Sequence, residues 1–269
     1  MNGQDLPADQ LPFVAPCREL AVTAPLRWLR LGWRDLASAP RQSLAYGAGI
    51  TVLSAIVSGI ALRLGTGWLL LVLLSGFVFV APVLAMGLYV ISAALERGTP
   101  PSLTACLAAA RRDLGDALVY SLILMVICLV WVRAGSAVEI FFPDEAVPSR
   151  LALATFLAIG SAVGSVFALV AFAASAFSLP MLADRRTDAI TAVVTSVNAV
   201  LRNKRAMLVW ALLIVASVAI GFATALLGLA ITIPMIGHAT WHAYRETIDA
   251  SAWPAKPEDA PSIIGRPSK

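Results

Sequence analysis

Residues 206–240, AMLVWALLIVASVAIGFATALLGLAITIPMIGHAT, run for 35 positions without a charged side chain. How this stretch divides decides the fold. A helix needs about 17–25 apolar residues to cross roughly 30 Å of hydrocarbon. The run is therefore long for one crossing and short for two. Gly221 and Gly228 offer a turn between two crossings. The alternative is one crossing followed by a re-entrant segment.

The rest of the chain shares this character. Hydrophobic residues make up 59% and charged residues 13%, where a soluble domain carries about a quarter charged residues. This composition excludes an ordinary soluble domain and implies a polytopic, all-α membrane protein. Six spans are expected, at about 44–64, 68–95, 115–132, 151–182, 206–225 and 227–243. Lys and Arg concentrate on the cytoplasmic side of a membrane. With six spans, 17 of the 20 fall on one side; only Arg63, Arg133 and Arg150 fall on the other. Both termini are therefore expected in the cytoplasm, with Glu139, Asp144 and Glu145 marking an acidic outer loop. Residues 1–43 contain no apolar leader stretch, so no cleavable signal is expected. Cys17, Cys106 and Cys128 form no CxxC and read as small apolar filler.

The inner segments are patterned. In 187–202, Ile190, Val193, Val194, Val197, Val200 and Leu201 follow the helical rule of i, i+3, i+4, i+7, with Asp188, Thr191, Thr195 and Arg202 on the other face. In 26–36, Leu26, Leu29, Trp33 and Leu36 form one stripe and Arg27, Arg30 and Arg34 another. In 102–114, Leu103, Leu107, Ala110 and Leu114 keep the same period more weakly. Each segment reads as an interfacial helix. Each precedes a similar span start: SLAY at 43–46, ALVY at 117–120, MLVW at 207–210. Each second span then holds a proline, Pro82, Pro180 or Pro234. The unit of interfacial helix, span and proline-bearing span thus occurs three times, over 26–95, 102–182 and 187–245. The domain expectation is a flexible segment 1–25, a six-span domain 26–248 and a disordered cytoplasmic tail 249–269.

The chain's two histidines lie in GHATWHAYRE, residues 237–246. His238 and His242 are four apart, which places them on one helix face. Counting four residues from each proline relates His238 to Asp184; counting eight relates His242 to Asp188. His238, His242 and Asp184 therefore form a candidate divalent metal site, two imidazoles and a carboxylate. If so, replacing both histidines should abolish metal retention and leave folding nearly intact. The plainer reading is a wet helix end, with histidines favoured by the macrodipole. On that reading Asp188 caps the next helix and Asp184 pairs with Arg185 or Arg186.

SLPMLADRRTDAITAVVTSVNAV followed by MIGHATWHAYRE resembles a family of predicted bacterial integral membrane proteins catalogued as a domain of unknown function. WLRLGWRDL…SLAYG looks like its opening pattern. The resemblance covers roughly 25–248, with HATWHAYR its most specific block. It implies a bacterial inner-membrane location and no established activity. Members are sometimes labelled as related to cytochrome c oxidase subunit I. Such a subunit binds two haems and a copper through many histidines, whereas this chain has two, and at i, i+4 they cannot ligate one haem from opposite faces.

Other chemistry is not found. There is no phosphate-binding glycine loop, GxSxG elbow or HExxH. No acidic residue lies mid-span, which weakens a small-solute transporter reading. Gly160 and Gly164 form a GxxxG that close helix packing would explain. The functional expectation is a non-enzymatic inner-membrane protein. It would associate with the lipid bilayer, through anionic lipids or another membrane complex, and with no nucleic acid. The alternative is a metal- or redox-linked accessory protein of a respiratory complex using His238 and His242.

Overall fold

The structure is a computed structural model that describes residues 12–64, 84–140 and 150–256. Its helices are α1 (Ala24–Ser38), α2 (Pro40–Leu64), α3 (Leu84–Glu96), α4 (Leu103–Arg112), α5 (Leu114–Ile140), α6 (Arg150–Ser175), α7 (Ser178–Asp184), α8 (Ala189–Arg202), α9 (Lys204–Ala223) and α10 (Leu229–Thr247). No strand occurs among the described residues beyond two isolated bridges. Among the described residues, four stretches are long and apolar enough to cross a membrane: Pro40–Ile60, Leu114–Ala137, Arg150–Asp184 and Lys204–Ala223. Pro82, Asp144, Glu145 and the Glu139 side chain lie outside the described residues.

The uncharged run divides into two helices, α9 and α10, joined at 224–228. The turn is not made where glycine was expected to make it. Ala225 (φ 52°) and Leu226 (φ 71°) take the left-handed conformation, which costs an L-residue about 1–2 kcal/mol. Gly221 and Gly228 serve close approach instead. A Cβ on Gly221 would strike Leu229, and one on Gly228 would meet Thr224 Oγ1 at 2.5 Å.

Three junctions share one hydrogen-bond pattern. α1 enters α2 through Ala39, α4 enters α5 through Asp113, and α8 enters α9 through Asn203. Each elbow residue is buried. Each N–H donates four residues back, to Asp35, Ala109 and Ala199. Each carbonyl accepts from four residues ahead, from Ser43, Ala117 and Met207. The aromatics Tyr46, Tyr120 and Trp210 each follow their elbow by seven residues.

The helix before each elbow packs against another helix of the bundle. α1 lies along α10, close enough that a Cβ on Gly32 would sit 2.5 Å from the Met235 carbonyl oxygen. Cys106 of α4 is buried with Leu88 and Ile91 of α3. On α8, Ser196 Oγ donates to the Ala173 carbonyl and accepts from the Phe177 N–H.

Pro180 and Pro234 do not occupy matching places. Pro234 sits inside α10, while Pro180 sits in α7 beyond the break that ends α6.

Both flanking segments pack more than expected. Ala15 N–H donates to Thr195 Oγ1, Arg18 N–H to the Thr247 carbonyl and Leu20 N–H to Asn203 Oδ1. Beyond α10, Trp253 is buried and Lys256 Nζ lies 2.8 Å from Asp113 Oδ1. Residues 12–23 and 249–256 are thus fixed to the bundle, unlike a flexible segment and a disordered tail. They lack apolar periodicity because their own backbone groups, rather than side-chain stripes, make the contacts.

Candidate functional site

The last three turns of α10 carry a polar collar. They read IGHATWHAYRET, with a polar or aromatic group facing nearly every neighbouring element. His238 is fully buried. Its Nε2 lies 2.9 Å from Ser43 Oγ of α2, and its Nδ1 lies 2.8 Å from Ser92 Oγ of α3. A neutral imidazole has one donor and one acceptor nitrogen, so one serine accepts and the other donates. Both nitrogens are then engaged within the protein. Gly237, one residue before, lets Leu88 of α3 approach; a Cβ there would meet Leu88 Cδ1 at 2.5 Å.

His242 Nε2 lies 2.8 Å from Asp35 Oδ2 of α1. Asp35 is itself buried. A carboxylate only accepts, so the imidazole donates. Beside this pair opens a cleft of about 210 Å³, lined also by Arg34, Ser38, Leu95 and Glu96. The Trp241 indole N–H donates to Glu96 Oε2 at 2.9 Å, and Trp28 of α1 donates its own to Glu246 Oε2 at 2.8 Å. Arg27 pairs with the other oxygen of Glu246.

Asp184 does not join the histidines. Its Oδ2 accepts from Tyr244 Oη at 2.8 Å and from Arg185 Nε at 2.9 Å, with Arg245 Nη1 at 3.7 Å. Among the described residues no three His, Cys, Asp or Glu side chains could together hold a metal ion. The separation of Asp184 from the histidines has a geometric cause. Counting from prolines assumed helices of equal register, but α7 follows a break and delivers Asp184 opposite residues 244–245, beyond the histidines. Glu96 ends α3 and Asp184 ends α7, and both reach Arg245, at 3.2 and 3.7 Å. Asp188 caps α8 as expected, with Oδ1 accepting from the Ile190 and Thr191 amides at 2.9 Å each.

Sequence reasoning missed Asp35, Ser43, Ser92 and Glu96. A signal for the first was present: Trp28, Gly32, Asp35 and Ala39 step by four, three and four, and this is the buried face of α1. The stripe proposed instead is split, with Leu36 buried and Leu29 half-buried. Leu26 is 55% exposed and Trp33 53%, beside exposed Arg27, Arg30 and Arg34. On α4, Leu103 and Leu107 are exposed. On α8 the expected faces are exchanged in part: Val193 and Val200 pack on the core as expected and Arg202 is exposed. Thr191 and Thr195 are buried, while Ile190 and Leu201 are exposed. The buried Cys106 behaves as filler: burial pushes its thiol up to about 11, far from a reactive thiolate.

A family model described as Predicted integral membrane protein (DUF2189) matches residues 69–184. The histidine block and the N-terminal pattern lie outside that match. No curated protein and no solved structure matches the chain. The match agrees with the four apolar helices: the chain is an integral membrane protein.

Proposed function

We propose that this protein is a non-enzymatic, six-span inner-membrane protein that grips anionic lipid through amphipathic helices at its cytoplasmic rim. One observation carries the reading. On α1, the outward apolar residues Leu26 and Trp33 stand directly beside outward Arg30 and Arg34. An amphipathic helix at a bilayer surface has this arrangement, with its apolar edge in the acyl boundary and its cations among headgroups. The outward leucines of α4 and the outward Ile190 and Leu201 of α8 give the other two helices an apolar edge as well.

The three elbows support a threefold unit more directly than the prolines do. The same backbone bonds recur at Ala39, Asp113 and Asn203, at the positions that precede SLAY, ALVY and MLVW. We read α10 as the sixth span and α3 as the end of the second. Both termini are then cytoplasmic, the orientation that the placement of Lys and Arg favours. The collar on α10 is the strut that fixes α1 against the bundle and so sets its height at the membrane surface.

Each Arg near an anionic surface contributes about 1 kcal/mol. Arg30→Gln with Arg34→Gln should therefore weaken retention of anionic over zwitterionic lipid by roughly 30-fold, about 2 kcal/mol. The measurement is native mass spectrometry of lipids held by protein released from mixed-lipid nanodiscs. Equal retention of both lipid classes by the wild type would overturn the proposal.

A further inference from the structure

Gly160 and Gly164 do not make the close helix contact expected of a GxxxG. A Cβ on Gly160 would meet nothing within 4 Å, and one on Gly164 would meet only Trp131 Nε1, at 3.7 Å. The hollow beside Gly164 is lined mainly by apolar side chains. The cleft beside the His242–Asp35 pair is different, because it holds charges that the protein leaves unanswered.

Asp35 is 4% exposed, and a buried charge needs a partner. Its Oδ2 accepts from His242. Its Oδ1 has no hydrogen-bond partner among the described residues, yet it is not one of the sealed polar atoms, so it borders the cleft. Arg34 also lines the cleft, is exposed and has no ion pair among the described residues. Glu96 adds a second carboxylate, already held by Trp241 and Arg245. An anion alone would meet Asp35 and Glu96, and a cation alone would meet Arg34. A zwitterion answers both. The acids and the histidine cannot together hold a metal ion.

The chemistry of each half narrows the ligand. A guanidinium matches a phosphate. An open carboxylate oxygen takes a charge-assisted hydrogen bond from an ammonium N–H. Quaternary ammonium groups have no such N–H and are recognised by aromatic cages; among the described residues no Trp, Tyr or Phe ring lines this cleft. Its 210 Å³ is the share of about seven waters, room for an ammonium on a short arm and its phosphate. Ser38, on the same cleft, precedes the Ala39 elbow, and the span Pro40–Ile60 starts directly after. Glu96 ends α3. A span start and a helix end thus place the cleft at the level of lipid headgroups, a placement that rests on α1 lying at the bilayer surface.

We propose that this cleft seats the headgroup of an ethanolamine phospholipid. The primary ammonium donates to Asp35 Oδ1, and the phosphate pairs with Arg34.

The probe is a nanodisc holding the full chain in equal parts of ethanolamine and choline phospholipid with the same acyl chains. Native mass spectrometry of the released protein counts the lipids retained. The wild type should keep ethanolamine over choline by about five-fold, the size of a partly exposed ion pair. Asp35→Asn should bring the ratio to about one. Because that change also weakens the bond to His242, Ser38→Leu serves as the second variant. It obstructs the cleft from an exposed position with both charges in place, and should level the ratio too. Gel filtration of each variant checks the fold. Equal retention by the wild type, or an unchanged ratio in folded Ser38→Leu, would overturn the proposal. Soluble phosphoethanolamine at millimolar concentration should leave the melting midpoint in detergent unmoved, where the ethanolamine lipid raises it; an equal shift from the soluble compound would overturn the lipid as its source. Both probe lipids are zwitterionic, so failure here leaves the comparison of anionic with zwitterionic lipid standing, and failure there leaves this ratio readable.

Discussion

Replacing His238 by alanine should unfold this protein far more easily, and the size of the effect follows from the collar. The imidazole is fully buried and bonded at 2.9 and 2.8 Å to serines on two other helices. Removing it leaves a cavity, for which buried large-to-alanine changes cost about 2–5 kcal/mol. It also removes two interhelical hydrogen bonds, worth on average about 0.6 kcal/mol each between membrane helices. Ser43 and Ser92 are not left fully orphaned, since a helical serine can turn its hydroxyl to the carbonyl four residues back. The expected loss is therefore about 3–6 kcal/mol. Reversible unfolding by SDS titration in mixed micelles measures it. A double-mutant cycle with Ser43→Ala should return a coupling of about 0.5–1.5 kcal/mol. This reverses the outcome that a metal site alone would give, in which both histidines could be lost with folding nearly intact. An unchanged midpoint for His238→Ala, with no coupling to Ser43, would refute the strut account.

Gly32→Val should destabilise strongly, because a Cβ there already lies 2.5 Å from the Met235 carbonyl oxygen, whereas Gly49→Val meets nothing and should be near neutral in the same titration. Ala225→Gly should stabilise by about 0.5–1 kcal/mol by relieving a left-handed alanine at an exposed turn, and a loss of stability would show that the turn is not strained. Asp188→Ala should cost about 1 kcal/mol at neutral pH through the lost cap. Burial raises the Asp188 carboxyl pKa, but the Thr191 and Ile190 amides and the Thr191 hydroxyl outweigh it, so the group titrates below its ordinary 3.8. A depressed carboxylate stabilises above its unfolded pKa, and that contribution is lost as pH falls through the folded value; a wild-type advantage that persists in strong acid would contradict this. Reporter fusions at residue 145 and at the C-terminus should report opposite sides of the membrane, and the same side for both would break the six-span reading.

The elements legible in the sequence were those with a period. The uncharged run, the three amphipathic stretches and the span starts after each elbow all rest on repeating apolar spacing, and each became a helix. The Asp188 cap was legible because an acid immediately before an apolar helical run has one common use. What failed were inferences that needed register between helices. Asp184 was matched to His238 by counting from prolines, yet the break before α7 moves it to Tyr244. Thr195 was placed on the face of α8 opposite its apolar stripe, yet the Ala15 amide covers it, and nothing in the composition of residues 12–20 announces that. The buried face of α1 was overlooked because it carries Gly32 and Asp35, which no apolar count selects. Gly160 and Gly164 were taken for close packing because sequence records the small residue and not whether a neighbour fills the space.

The collar also sets a clock on synthesis. Arg27 pairs with a residue 219 positions later, Asp35 with one 207 later and Ser43 with one 195 later. At about 5–20 residues per second, the ribosome takes roughly 10–40 s to supply those partners. Until then α1 is in the cell with the carboxylate of Asp35 and the face around Gly32 uncovered. α1 is thus completed by α10, and the bundle closes on itself only when residues 235–247 emerge. A nascent chain stalled anywhere before Met235 would present the same unfilled seam, whatever the length already inserted, and that seam is what a membrane chaperone or protease would meet.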